Sequence, residues 1–224
     1  NSVFSIGFVA STLYGGLPSL VRKMRRHAPE LDIQLLELVS VQQIPALKEG
    51  RIDVGFGRLR HSDPNVVGTV LREERLVAAV PMGTALAGDS APLPVKKLHG
   101  QKLIVYPKEP RPSYADQVLG LLQSRDVRPA EVHEVREIQT ALGLVAADAG
   151  VCVIPSSARQ MRSDVHYRLI EEEAMTSPVI LNHRVGDNSV HIDLIKRLIE
   201  EMYAENPPWL DMEHNVLPGR SFGD

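Results

Sequence analysis

Three hydroxyl-bearing junctions carry the chemistry that this sequence offers. Ser11-Thr12, Ser40 and Ser113 each stand where an apolar, strand-like run gives way to a helical pattern. In a parallel α/β sheet the carboxyl end of a strand then faces a helix N-terminus, whose unshared amide hydrogens and positive dipole end attract anions. Arg58 follows another strand-like run and offers a fixed charge in a planar fork suited to a carboxylate. Taken singly, each serine also reads as a plain helix cap, because serine is favoured at that position without any ligand. Their recurrence after successive strands supports the ligand reading. Two helix starts from one half of the chain and one from the other suit a small anion charged at both ends.

Motifs for catalysis are missing. There is no Gly-x-Ser-x-Gly elbow, phosphate loop, Cys-x-x-Cys pair or His-Glu-x-x-His run. Gly55-Phe-Gly57 lacks the third glycine and the following helix of a dinucleotide fingerprint. The eight histidines are scattered rather than spaced as metal ligands, and His133 and His166 read as partly exposed strand residues. Neither a cofactor nor a metal is called for, and the chain reads as a binding module, not an enzyme. Because triads are assembled in space, an enzyme acting on an organic acid stays open as an alternative.

The elements that must position these groups alternate as in a parallel sheet. Residues 3–9 suit a strand, and Leu17, Leu20, Val21 and Met24 share a helical face that ends at His27-Ala-Pro29. Residues 32–39 alternate as a strand. Ser40-Val-Gln-Gln43 has capping-box spacing and opens a helix to Glu49, begun late or bent by Pro45. Strands follow at 52–56 and 76–80. The pattern then restarts with a strand at 102–106, a proline-stiffened loop at 107–112, helices at 114–123 and 138–149, and strands at 131–135 and 151–154. A late strand at 179–183 and a helix through Ile192, Ile195, Ile199 and Met202 have no partners in this second series, so the chain is expected to return to the first. That makes two lobes: residues 1–73 with 179–206, and residues 74–178, joined by two crossings that form a hinge, with a ligand cleft between them. Residues 207–224 show no periodicity and are expected to be loosely held.

Composition narrows the partners. A net charge of −3 argues against a broad basic face for nucleic acid, and the run Arg22-Lys-Met-Arg-Arg26 reads as a solvated helix face. No run approaches the roughly 18 apolar residues of a membrane span. The single cysteine, Cys152, cannot form an internal disulfide, which points to a reducing cytoplasm. The chain opens on a strand pattern without an initiator methionine, which implies a fragment.

Three stretches carry a family resemblance: Ile6-Gly-Phe-Val-Ala-Ser11, the run from Leu47 through Gly50-Arg-Ile-Asp53 to Arg58, and the run from Ala141 through Gly150 to Pro155. On these the chain resembles the effector-binding domain of LysR-type transcriptional regulators over nearly its whole length. Tyr14-Gly15, Gly57-Arg58, Tyr106-Pro107 and Glu134-Val-Arg-Glu137 are similar to the muconate-responsive regulators of benzoate and catechol breakdown. The resemblance implies two Rossmann-like lobes joined by two crossover strands, a type 2 periplasmic-binding-protein-like α/β fold. It also implies a homo-oligomer, dimer or tetramer, that touches DNA only through an N-terminal winged helix-turn-helix outside this chain. Its effector would be cis,cis-muconate or a related carboxylate: one carboxylate at Ser11, Thr12 and the Ser40-Val41 helix start near Arg58, the other at Pro112-Ser113-Tyr114, with Ile180 on the hinge side. Some relatives have a second pocket for benzoate, built by an arginine, a glutamate and a tyrosine of the last helix. Arg72 and Glu74 match the first two, but His191 takes the tyrosine's place, which speaks against that pocket here. A solute-binding protein of a transport system is the other reading of a two-lobed closure.

Overall fold

The computed structural model describes residues 2–219. It divides into two compact units: unit 1 runs to Glu73 and resumes at Pro178, and unit 2 is Glu74–Ser177.

In unit 1, β1 (Val3–Phe8) pairs in parallel with β2 (Asp32–Glu37) on one side and β3 (Val54–Gly57) on the other. Antiparallel to β3 runs β9 (Thr176–Arg184), with Gly57 opposite Ile180, and β4 (Val66–Pro81) lies beyond it. Alternation in β1 sends Phe4, Ile6 and Phe8 into one core with α1 (Leu17–His27) and α5 (Val190–Ala204). On the opposite face, α2 (Ser40–Lys48) packs Ala46 and Leu47 against Ile52 and Val66. Pro45 sits inside α2, which nevertheless starts at Ser40 rather than late.

Unit 2 repeats the plan. β5 (Lys102–Val105) pairs in parallel with β6 (Glu131–Glu134) and with β7 (Val151–Pro155), and β7 runs antiparallel to β4. β7 is wholly buried, as its unbroken apolar run requires. α3 (Tyr114–Gln123) and α4 (Ile138–Ala146) contribute Ala115, Val118, Leu122, Ala141, Leu142 and Val145 to the same core. The chain passes between units within β4 and again within β9.

Several elements differ from the sequence expectation. β4 is a 16-residue strand where only residues 76–80 read as one, because the charged run from Arg72 to Arg75 hides the alternation around it. β8 (Val165–Leu169), paired antiparallel with β4, was not delimited as an element, although His166 within it reads as a partly exposed strand residue and is one; its Val-His-Tyr-Arg-Leu pattern is short and polar. The expectation of a loose tail is corrected: Pro208–Leu210 forms a 3₁₀ turn and β10 (Asn215–Val216) pairs with β4. Residues 220–224 lie outside the described residues. Among the described residues, no helix is long and apolar enough to cross a membrane.

Candidate functional site

A bonded polar cluster of unit 1 lies where β1, β2 and β3 end. Gln43, fully buried on α2, donates from its amide to Leu38 O at 3.0 Å and to Phe56 O at 2.9 Å, tying the ends of β2 and β3 to the helix. Room for it comes from Gly55, where a Cβ would lie 2.4 Å from Gln43 Oε1. At Gly57 a Cβ would approach Ser40 Oγ to 3.1 Å. The Gly-Phe-Gly run therefore exists for close approach of α2, which accounts for its lack of nucleotide-binding context.

Here the capping-box expectation is corrected. The N-cap of α2 is Val39, which offers no side-chain acceptor, and Gln43 is turned to the buried carbonyls instead. Ser40 Oγ accepts from the backbone N–H of Arg58 at 2.9 Å. Arg58, 3% exposed, also donates from Nε to Ser11 Oγ at 2.8 Å. One residue thus fixes two hydroxyls, one with its main chain and one with its guanidinium. Each hydroxyl is an acceptor here, and among the described residues neither donates, so the hydrogen of each is unspent. Val41, half-buried, sits in the first turn of α2, where backbone N–H groups have no intrahelical acceptor.

Ser11 and Thr12 also sit differently from expectation. They belong to a 3₁₀ turn, Ala10–Tyr14, and not to the start of α1, which follows Gly16. Thr12 Oγ1 donates to Val9 O at 2.7 Å, so its hydroxyl closes the turn, whereas that of Ser11 does not. Ile180 is buried on β9 opposite Gly57. Within unit 1 the structure thus brings Ser11, Ser40 and Arg58 into one bonded cluster, with Val41 and Ile180 on the flanking elements.

In unit 2 the third junction is built as a full cap. Ser113 Oγ accepts from Ala115 N at 3.2 Å and donates to Pro107 O at 2.8 Å, while Ser113 N donates to Asp116 Oδ2 at 2.7 Å. Arg111 clamps Asp116 through two nitrogens and reaches Glu134 at 2.7 Å. The Arg111 guanidinium holds the Asp116 carboxyl below the usual carboxylate range and is itself pushed up by that carboxylate and by Glu134. Pro112 precedes this cap. The Tyr114 hydroxyl donates to Val153 O at 3.0 Å, and its ring packs against Tyr106 at 5.1 Å between centroids.

The second-pocket reading also changes. His191 stacks edge-on against Phe4, 5.6 Å between centroids, and is not the aromatic partner of Arg72. That partner is Tyr203, farther along α5, whose hydroxyl accepts from Arg72 Nη1 at 2.9 Å. Glu74 belongs to unit 2, where Ser157 Oγ donates to it at 2.9 Å. Sequence reasoning missed Gln43 as a buried tie; its one legible signal is the pair of glycines that make room for it. Asp211, Glu213 and His214 bring possible metal-ligating atoms within 4.8 Å of one another, but Asp211 already closes a turn with His214, Oδ1 to Nδ1 2.6 Å.

Two α/β units with parallel strands, joined through two shared strands and gathering hydroxyl and guanidinium groups at strand ends, define a type 2 periplasmic-binding-protein-like fold. The LysR substrate binding domain profile matches residues 1–203, and the chain belongs to that family. It is 68% identical over 215 residues to a probable cat1 operon transcriptional activator of Acinetobacter lwoffii, covering 96% of this chain and 71% of the other. It is 43% identical over 197 residues to the HTH-type transcriptional regulator CatR of Pseudomonas putida, covering 88% and 67%. The solved structure of the BenM effector binding domain with its effector benzoate superposes with a TM-score of 0.85 at 35% identity, over 94% of this chain and 98% of that one. The first two are named as a transcriptional activator and a transcriptional regulator, and not as enzymes.

Proposed function

We propose that this chain senses cis,cis-muconate or a closely related small dicarboxylate for a cytoplasmic LysR-type regulator of aromatic catabolism genes. In this reading the regulator is a homo-oligomer and contacts DNA through an N-terminal winged helix-turn-helix. The observation that carries the proposal is the bonded Ser11–Arg58–Ser40 cluster with its two uncommitted hydroxyl hydrogens. One carboxylate is assigned to those hydroxyls and the Ser40-Val41 amides. At about 5 Å from a guanidinium, and with an effective dielectric of about 20, such an anion gains roughly 3 kcal/mol of attraction. The second carboxylate is assigned to the helix start at Pro112-Ser113-Tyr114, and Ile180 supplies apolar contact. Names of the relatives, which include a cat1 operon transcriptional activator and the transcriptional regulator CatR, support the regulatory role. Binding alters transcription only if the effector prefers one arrangement of the assembly over another.

Calorimetric titration of the folded chain with cis,cis-muconate tests the proposal. Saturable heat that Ser11→Ala diminishes is expected; absence of heat from a folded sample refutes it. A monocarboxylate reading is favoured by one observation, the full commitment of Ser113 to its cap, and by benzoate in the BenM structure. Tighter binding of benzoate than of muconate in the same titration selects it.

A further inference from the structure

Behind the turn that presents Ser11 lies a contact that the effector reading does not use. The C-terminal segment returns to unit 1 and places Trp209, the one tryptophan in the sequence, flat against the backbone of Gly16. A Cβ at Gly16 would fall 2.5 Å from Trp209 Cη2, and Gly16 has a φ of +87°, so no other residue fits without moving the ring. The edge of Tyr203 meets the indole at 6.1 Å, and the guanidinium carbon of Arg72 lies 5.3 Å from its centroid.

Arg72 is the clasp. It is 3% exposed and donates from Nε to Asn215 Oδ1 at 3.1 Å, from Nη1 to Tyr203 OH, and from Nη2 to Gly15 O at 3.2 Å. Asn215 in turn donates to Asp211 O at 3.0 Å, which closes the segment on itself. A single side chain of β4 therefore joins the last helix, the C-terminal segment and the turn before α1. Gly15 is only three residues from Thr12, whose carbonyl accepts the Gly15 N–H at 3.2 Å. Slack is small: the cavity between the turn and the indole measures about 20 Å³, room for about one water. A short 3₁₀ turn has poorly aligned hydrogen bonds of its own, so its position depends on what packs against it.

We propose that Trp209 and Arg72 are positioning residues for effector binding: the C-terminal segment braces the Ala10–Tyr14 turn from behind and thereby holds Ser11 at the distance from Arg58 that the carboxylate requires. This rests on the effector reading above. The bland alternative is that Trp209 only anchors the chain end, in which case its loss lowers stability and leaves affinity alone.

The test compares the chain with Trp209→Ala, Trp209→Phe and Arg72→Gln, well below their melting temperatures and with folding verified by circular dichroism. Muconate affinity by calorimetry is expected to fall about threefold to thirtyfold in Trp209→Ala and in Arg72→Gln, and to recover in Trp209→Phe, which keeps a ring on Gly16. Trp209 emission, which reads docking directly, is expected to shift to the red in Arg72→Gln. Hydrogen exchange without ligand is expected to quicken at residues 9–16 in both disruptive variants. Folded variants that bind as the parent does overturn the inference. If the parent itself binds no muconate, the effector reading fails first, and unchanged exchange at residues 9–16 then overturns the brace independently. If Trp209→Ala does not fold, Arg72→Gln decides by the same two measurements.

Discussion

Ser40 and Ser113 both stand at the start of a helix that follows a parallel strand, yet their surroundings make opposite demands on an anion. At Ser113 the helix start is already neutralised: Asp116 takes the N-cap amide, Arg111 balances Asp116, and the serine hydrogen goes to Pro107 O. At Ser40 the N-cap residue is Val39, no carboxylate of the first turn occupies the helix end, and the serine oxygen is filled by Arg58 N while its hydrogen is kept. Ser11 stands in the same condition toward the Arg58 side chain. A helix N-terminus is thus not an anion site by default; it becomes one when the chain leaves its donors unspent.

The largest effect that sharpens this contrast is expected from Arg58→Met. It removes the group that orients Ser11 together with the local positive charge, and muconate affinity should fall by about 2–3 kcal/mol, or roughly thirtyfold to more than a hundredfold, by calorimetry. Ser11→Ala is expected to cost about 1–2 kcal/mol in the same assay. Ser113→Ala should register first as stability, about 1 kcal/mol in a urea titration, with a smaller loss of affinity than Ser11→Ala. The reverse order of those two affinities breaks the comparison.

A subtler effect concerns pH. Arg111 favours ionised Asp116, so the native pKa lies below the ordinary value. Such a group contributes stability that is fully present above the ordinary carboxylate pKa of about 3.9 and is lost as pH falls through the native value. Arg111→Ala should move the Asp116 titration, followed by NMR, back up toward the ordinary range and flatten the acid limb of the stability profile. An unmoved titration removes Arg111 as the cause. The smallest response is expected from Cys152, whose thiol burial pushes well up; it should stay inert to a thiol reagent until the chain unfolds.

Much of the fold was legible because its signals are local. The apolar spacing of Leu17, Leu20, Val21 and Met24 marks α1, and the unbroken run at residues 151–154 marks a strand buried on both faces. The capping-box reading of Ser40 and Gln43 failed for a reason that local pattern does not contain. Carbonyls of Leu38 and Phe56, drawn together by the sheet, take the Gln43 amide, and the bond to Phe56 is buried, where an unmet carbonyl costs most. The sequence sets His191 in the tyrosine's place; Tyr203 lies about three turns farther along the same α5, and only the packing of that helix on α1 brings its hydroxyl to Arg72.

The sequence by itself determined the alternating α/β plan, the return of the chain to its first unit and the hydroxyls at its strand–helix junctions, since periodicity and residue chemistry are written within a few positions. Only the tertiary structure decided which hydroxyls keep a hydrogen to give. That depends on partners 18 and 47 residues away, as Arg58 is from Ser40 and from Ser11, and hydrogen-bond capacity is spent between elements that meet only after the sheet has formed.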